Sequence, residues 1–188
     1  MANTAEHKKL KPLSDNEGAL LDLVRRTQPI TAYRIVKIYE TSPVAAFNTS
    51  LGQVYPMIKR LAKSGLIEGT AVADDGRGTA NWTCTEQGVS ALRDWVFEIR
   101  PSHLMMEDPL RTKLMSFDLL SHEERIHWLV DIKSELAAKL EEQEAYDDAV
   151  HLPFQDLVHD NAVSSLRMRM DWLDRVLKRI VKESNNGK

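Results

Sequence analysis

Cysteine is almost absent from this 188-residue sequence, where Cys84 stands alone. A single thiol excludes an internal disulfide framework, a thiolate zinc site and a CxxC redox pair, and it fits a reducing cytoplasm. No stretch approaches the roughly 18 consecutive apolar residues that a membrane helix needs. The N-terminal segment Met1 to Leu13 holds His7, Lys8, Lys9 and Lys11 with no apolar run behind them, so it does not read as a secretory signal. Eight glycines and seven prolines are too few for a collagen-like or low-complexity chain. Signatures of catalysis are also missing: no P-loop, no GxSxG, no glycine-rich phosphate loop and no Cys-His pair in a plausible setting. His122 and His127 are five apart rather than four, and Glu123-Glu124 does not complete HExxH, so neither a metal site nor a cofactor is predicted. Cys84 reads as a small buried hydrophobe, with a redox sensor as the alternative.

What is present is a soluble composition, 43% apolar and 28% charged, enough for the core of one ordinary domain or two small ones. The net charge of -3 hides an asymmetry. Between Thr31 and Ile67, Arg34, Lys37, Lys59, Arg60 and Lys63 face Glu40 alone, whereas from Arg100 onward acids outnumber bases. An acidic whole does not exclude nucleic acid when the bases cluster in one segment. An ordinary solvated face is the other reading of such a cluster.

Hydrophobic period and cap residues predict the elements. Ser14-Asp15-Asn16-Glu17 is a capping box ahead of Ala19, Leu20, Leu23 and Val24, and Gln28-Pro29 stops that helix. Thr31 caps a second helix with Tyr33, Val36 and Tyr39 on one side. A third runs from about Asn48 to Lys63, burying Leu51, Val54, Ile58 and Leu61. Its opposite face carries Thr49, Gly52, Gln53, Pro56, Lys59, Arg60 and Lys63, and no acid. Pro56 conflicts with a helix interior and predicts a kink or a shortened helix. Ser64-Gly65 is a stop. Leu66 to Ala73 and Thr79 to Cys84 read as a β-hairpin with Asp74-Asp75-Gly76-Arg77-Gly78 at its tip. Thr85 caps a fourth helix with Val89, Leu92, Val96 and Ile99 on one face, ended by Arg100-Pro101. Three helices, a hairpin and a helix make the pattern of a winged helix-turn-helix, whose recognition helix fits the roughly 12 Å major groove. Arg77 at the wing tip is placed for a phosphate.

The C-terminal half is helical. Asp108-Pro109 opens a short helix with Leu110, Leu114 and Phe117, and Ser121-His122-Glu123-Glu124 is a second capping box. It starts a long helix to about Asp148 that carries Ile126, Leu129, Val130, Leu136 and Leu140. The last helix, to about Lys182, spaces Val163, Leu166, Met170, Leu173, Leu177 and Ile180 as an a/d heptad stripe. That stripe predicts a dimer interface with a second subunit. The expected organisation is a tail over 1–12, a winged helix-turn-helix over 13–100, an α-helical dimerisation domain over 101–183 and a tail over 184–188.

These residues resemble the PadR family of bacterial transcription regulators. The resemblance is carried by Thr31-Ala32-Tyr33-Arg34-Ile35, by Ser50-Leu51-Gly52-Gln53-Val54-Tyr55-Pro56-Met57-Ile58-Lys59-Arg60-Leu61, by Gly65-Leu66-Ile67 and by Thr85-Glu86-Gln87-Gly88. The family tolerates the Tyr-Pro pair inside its third helix, which accounts for Pro56. Asp108-Pro109-Leu110-Arg111-Thr112-Lys113-Leu114 and Trp172-Leu173 are similar to the family's helical dimerisation domain. Trp82, Thr83 and Cys84 depart from the family's usual Tyr and hydrophobic residue before Thr85, and the wing strand Thr79 to Asn81 lacks the family's basic residues. The resemblance implies a homodimeric repressor released by a small molecule. Thr49 and Gln53 are then expected at base edges, Lys59, Arg60 and Lys63 at phosphates, and Ser50 at the helix cap and beside a phosphate. Tyr33 and Tyr55 are expected in the core or at its flank. Trp95, Trp128 and Trp172 are the tentative lining of a site for a small aromatic inducer, with core packing as the plainer reading. The expected partners are a pseudo-palindromic duplex DNA and a second copy of the chain. The rival reading is a winged-helix adaptor that dimerises through its long helices and binds protein instead of DNA.

Overall fold

The computed structural model describes residues 11–41, 51–72, 78–105, 108–146 and 153–186, in two compact units that divide between Leu104 and Met105. Among the described residues, no helix is long and apolar enough to cross a membrane.

In the first unit, helix α1 (Asp15–Thr27) begins at the expected capping box: the Glu17 amide donates to the Ser14 hydroxyl, and the Ser14 amide donates to the Glu17 carboxylate. Strand β1 (Ile30–Thr31) follows, and the Thr31 hydroxyl accepts the Arg34 amide at the start of α2 (Ala32–Thr41). Helix α3 (Leu51–Lys63) continues through Pro56. It closes with Leu66 N–H on the Leu61 carbonyl and Gly65 N–H on the Ala62 carbonyl, with Gly65 at φ +72° where a Cβ is costly. Strands β2 (Ile67–Ala71) and β3 (Ala80–Cys84) pair antiparallel from Ile67 opposite Cys84 to Ala71 opposite Ala80. The short β1 pairs with the other edge of β3, giving the order β1-β3-β2. The sequence reading had no β1, because two residues show no period and become a strand only when β3 lies beside them. The Gln28 side chain accepts the Cys84 amide at 2.7 Å and ties the end of α1 to the end of the sheet.

The unit closes over Leu20, Leu21 and Val24 of α1, Ile35 of α2, and Val54, Met57, Ile58 and Leu61 of α3. Two expected faces are corrected. On α2 Val36 and Tyr39 of the expected side pack on the core, but the fully buried residue is Ile35 and Tyr33 is exposed. On α4 (Glu86–Phe97) the expected Val89, Val96 and Ile99 are at least half exposed, and only Leu92 of that stripe is buried. The inward face is Gly88, Ala91, Leu92 and Trp95, at helical spacing but rotated from the expected one. Backbone proximity sets that rotation. A Cβ on Gly88 would stand 2.2 Å from the Leu66 carbonyl oxygen, and one on Gly18 of α1 would stand 2.3 Å from the Trp95 ring. Periodicity counts apolar side chains and does not see a glycine that brings two backbones together.

In the second unit, α5 (Pro109–Leu114) is capped by Asp108 and followed by a 3-10 turn over Phe117–Leu119. Helix α6 (His122–Glu144) starts at the expected Ser121/Glu124 capping box and stops four residues before Asp148. Helix α7 (Gln155–Asn186) lies antiparallel to it, with Lys133 paired to Asp174 and Arg167 to Glu144. Leu129 and Leu136 of α6 meet Leu173 of α7 in the centre, with Leu166, Met170, Leu177 and Ile180 packed around them. Val163 is buried on the same face. Val130, expected inside, is half exposed. The heptad stripe of α7 is thus turned toward α6 of its own chain. Leu173 is fully buried there and is not available to a second subunit, which corrects the expected interface at its central residue. The partner is α6, whose Leu129 and Leu136 cover the stripe within the same chain.

Candidate nucleic-acid interface

The candidate surface is built by α3. Val54, Met57, Ile58 and Leu61 anchor one side in the core, so Gly52, Gln53, Tyr55, Pro56, Lys59, Arg60 and Lys63 must face out, and all of them are exposed. Met57 joins the buried stripe that the sequence predicted from Val54, Ile58 and Leu61. Pro56 has no amide hydrogen, so the Gly52 carbonyl loses its helical partner. Gly52 has open space where a side chain would stand, and both residues sit on the solvent side. The cost of the proline therefore falls where water, or a ligand, can satisfy the carbonyl.

The cations on this face are not equivalent. Lys59 and Lys63 have no ion pair among the described residues. Arg60, predicted as a plain phosphate contact, donates from Nε to the Glu17 carboxylate of α1 at 3.1 Å. Glu17 also accepts the Ser14 amide and hydroxyl. Burial works against its charge, but the Ser14 hydrogen bonds and the Arg60 guanidinium prevail and hold its carboxyl below the usual range. Arg60 is therefore braced rather than free, which an (i, i+43) pair gives no periodic signal for.

Next to α3, helix α2 presents residues the sequence reading assigned elsewhere. Tyr33 is 64% exposed and Tyr55 on α3 is 49% exposed, so neither is a core residue. The Lys37 ammonium stands 5.9 Å from the Tyr33 ring centre while it pairs with Glu40. Arg34 is exposed with its side chain unpaired among the described residues. The available signal for Tyr33 was Ile35 two residues later, which cannot share a helix face with it.

Thr49, Ser50 and Arg77 lie outside the described residues. The wing strands lead toward Arg77 with Val72 N–H on the Thr79 carbonyl at 2.9 Å. The Thr85-Glu86-Gln87-Gly88 sequence has a structural explanation. The Thr85 hydroxyl donates to the Gly65 carbonyl at 2.7 Å and accepts the Gly88 amide at 3.0 Å, which fixes α3, the wing and α4 to one another. Burial pushes the Cys84 thiol up, away from the thiolate that a redox sensor needs.

The three tryptophans named for a ligand each pack within their own unit. Trp95 lies on Gly18 and donates to Asp15 at 3.3 Å. Trp128 meets Phe117 edge to face, with ring centres 5.2 Å apart. Trp172 packs on the α6–α7 core.

The winged-helix fold is shared with known regulators. The model of the transcriptional regulator PadR-like family matches residues 20–94, from α1 to α4. Over those residues the first unit is similar to the PadR-like family of transcriptional regulators. The negative transcriptional regulator PadR of Bacillus subtilis is 24% identical over 177 residues, covering 88% of this chain and 97% of that protein. The crystal structure of Bacillus subtilis PadR in complex with operator DNA shares the fold at a TM-score of 0.72 and 22% identity, covering 87% of this chain and 98% of the other. The structure of the same protein in complex with p-coumaric acid gives a TM-score of 0.67 over the same 87% of this chain and 94% of that one, at 22% identity. The likeness therefore extends beyond the PadR-like unit into the helical second unit.

Proposed function

We propose that this chain is a cytoplasmic, homodimeric repressor that binds a pseudo-palindromic operator and leaves it when a small aromatic molecule binds. The observation that carries the reading is the outward face of α3, where Lys59 and Lys63 are unpaired among the described residues and no acid is present. Gln53 is the base reader, since its amide can bond adenine in bidentate fashion. Lys59 and Lys63 neutralise phosphates and set register, as Thr49, Ser50 and Arg77 do from outside the described residues. Arg60, braced by Glu17, offers its remaining N–H groups to a phosphate. The second unit supplies the dimer. Its core is thin, and Val130, Leu157, Val158 and Met168 leave apolar surface in water. The p-coumaric acid complex of the relative supports a flat aromatic inducer, with Trp128 and Trp172 of the second unit as the residues to test.

A gel shift on the region upstream of the chain's own gene, at two salt concentrations, tests the reading. Binding that weakens steeply with salt and concentrates on one site is expected. No shift at low salt would reject DNA binding and leave the protein-adaptor reading.

A further inference from the structure

The segment that enters α1 meets the end of α3 around an open cavity of about 360 Å3. Lys11, Arg60 and Lys63 line it together with Ser64 and with Glu17, which is paired to Arg60. We propose that Lys11, Arg60 and Lys63 take one phosphate of the DNA backbone, so that the chain ahead of α1 is part of the DNA contact. The proposal rests on the DNA-binding reading above and adds to it a residue outside the helix-turn-helix and the wing.

Three features favour an anion here. Glu17 is ionised at neutral pH, and its charge is met by Arg60 and two Ser14 hydrogen bonds, so the three cations leave a net +2 at the rim. The end of a helix normally repels anions through its free carbonyls. At the end of α3 the Arg60, Leu61 and Ala62 carbonyls accept the Ser64, Leu66 and Gly65 amides, which blunts that repulsion. The guanidinium of Arg60 spends Nε on Glu17 and has no other partner among the described residues, leaving its two Nη groups for a forked contact with phosphate oxygens.

The test measures full-length wild type, Lys11→Ala and Lys59→Ala on a duplex that the gel shift has shown to bind, by fluorescence anisotropy across a salt series. Lys11 is exposed, so its removal should leave the melting temperature unchanged. Lys11→Ala is expected to weaken operator and unrelated duplex by the same factor and to lower the salt slope by about one. A neutral methylphosphonate, scanned through the duplex, should find one position that costs wild type affinity and costs Lys11→Ala nothing further. A Lys11→Ala protein with the wild-type slope overturns the pocket, and a lowered slope for Lys59→Ala in the same series shows that DNA binding itself stands. If wild type does not bind DNA, both readings fall. Inorganic phosphate at matched ionic strength is expected to leave the melting temperature unmoved. Stabilisation of wild type but not of Lys11→Ala, with equal DNA slopes, would make this a free-anion site and overturn the proposal.

Discussion

The two units of this chain bury their apolar residues very differently. The first closes on itself: among the described residues, thirteen buried apolar side chains come from all four helices, the sheet and the segments beside them, and helix ends are tied across elements by Gln28, Thr85 and Glu17. Among the described residues, the second has only Leu129, Leu136 and Leu173 at the centre of its cluster, while Met115, Leu119, Val130, Leu157, Val158 and Met168 are exposed. Each buried Leu contributes about 1.5–3 kcal/mol relative to exposure, so a core of three cannot match one of thirteen. The first unit can hold α3 rigid alone, whereas the second leaves more of its apolar side chains in water.

The largest expected effects break the second unit. Leu173→Asp places a charge at a fully buried site. Its cost should exceed the roughly 2–5 kcal/mol of a buried Leu→Ala change, so a thermal melt should lose the second unit's transition and light scattering should report monomers. Leu157→Asp sharpens the point, because Leu157 is 61% exposed in the single chain. It should leave helix content intact by circular dichroism and still weaken the dimer. A dimer untouched by Leu157→Asp moves the interface away from the start of α7.

In the first unit the effects are smaller and separable. Gly88→Ala drives a Cβ against the Leu66 carbonyl and should cost about 1–3 kcal/mol in chemical denaturation. Gly52→Ala meets nothing within 4 Å. It should stabilise the fold by up to ~1 kcal/mol while lowering operator affinity, because the new methyl stands on the reading face. Gln53→Ala should cost about 1–3 kcal/mol on the operator and little on random DNA. Equal losses on both would remove Gln53 from the base readers.

The smallest effect is acid sensitivity at Glu17. Its carboxyl titrates below its unfolded value, so its contribution is complete above about pH 4.3 and is lost as pH falls through the lower folded value. Glu17→Gln keeps a capping-box residue but removes the charge, so its stability should fall less steeply than wild type below that pH. Parallel acid melts of the two proteins would show whether this pair contributes.

Much of the fold was legible. Both capping boxes, the Ser64-Gly65 stop, the hairpin and the buried stripe of α3 are local devices, and each reads the same in the chain as in the folded protein. The reading face of α3 followed from that stripe, since a helix that buries Val54, Ile58 and Leu61 must expose Gln53, Lys59 and Lys63. What could not be read were relations between distant residues. The Arg60–Glu17 pair spans 43 positions. The rotation of α4 depends on two glycines that only matter when Leu66 and Trp95 are beside them. Tyr33 looked apolar by type and proved to be surface by position.

The same division describes the whole protein. The sequence by itself determined which segments are helices, where they start and stop, and which side of α3 can meet a polyanion, because caps and 3.6-residue periodicity act within a few turns of chain. Only the tertiary structure decided that the α7 stripe faces α6, that β1 exists, that Arg60 is braced while Lys59 and Lys63 have no ion pair among the described residues, and that Lys11 stands beside the end of α3. Those outcomes turn on which surfaces reach one another first, and contact between residues far apart in the chain leaves no periodic trace in the order of its residues.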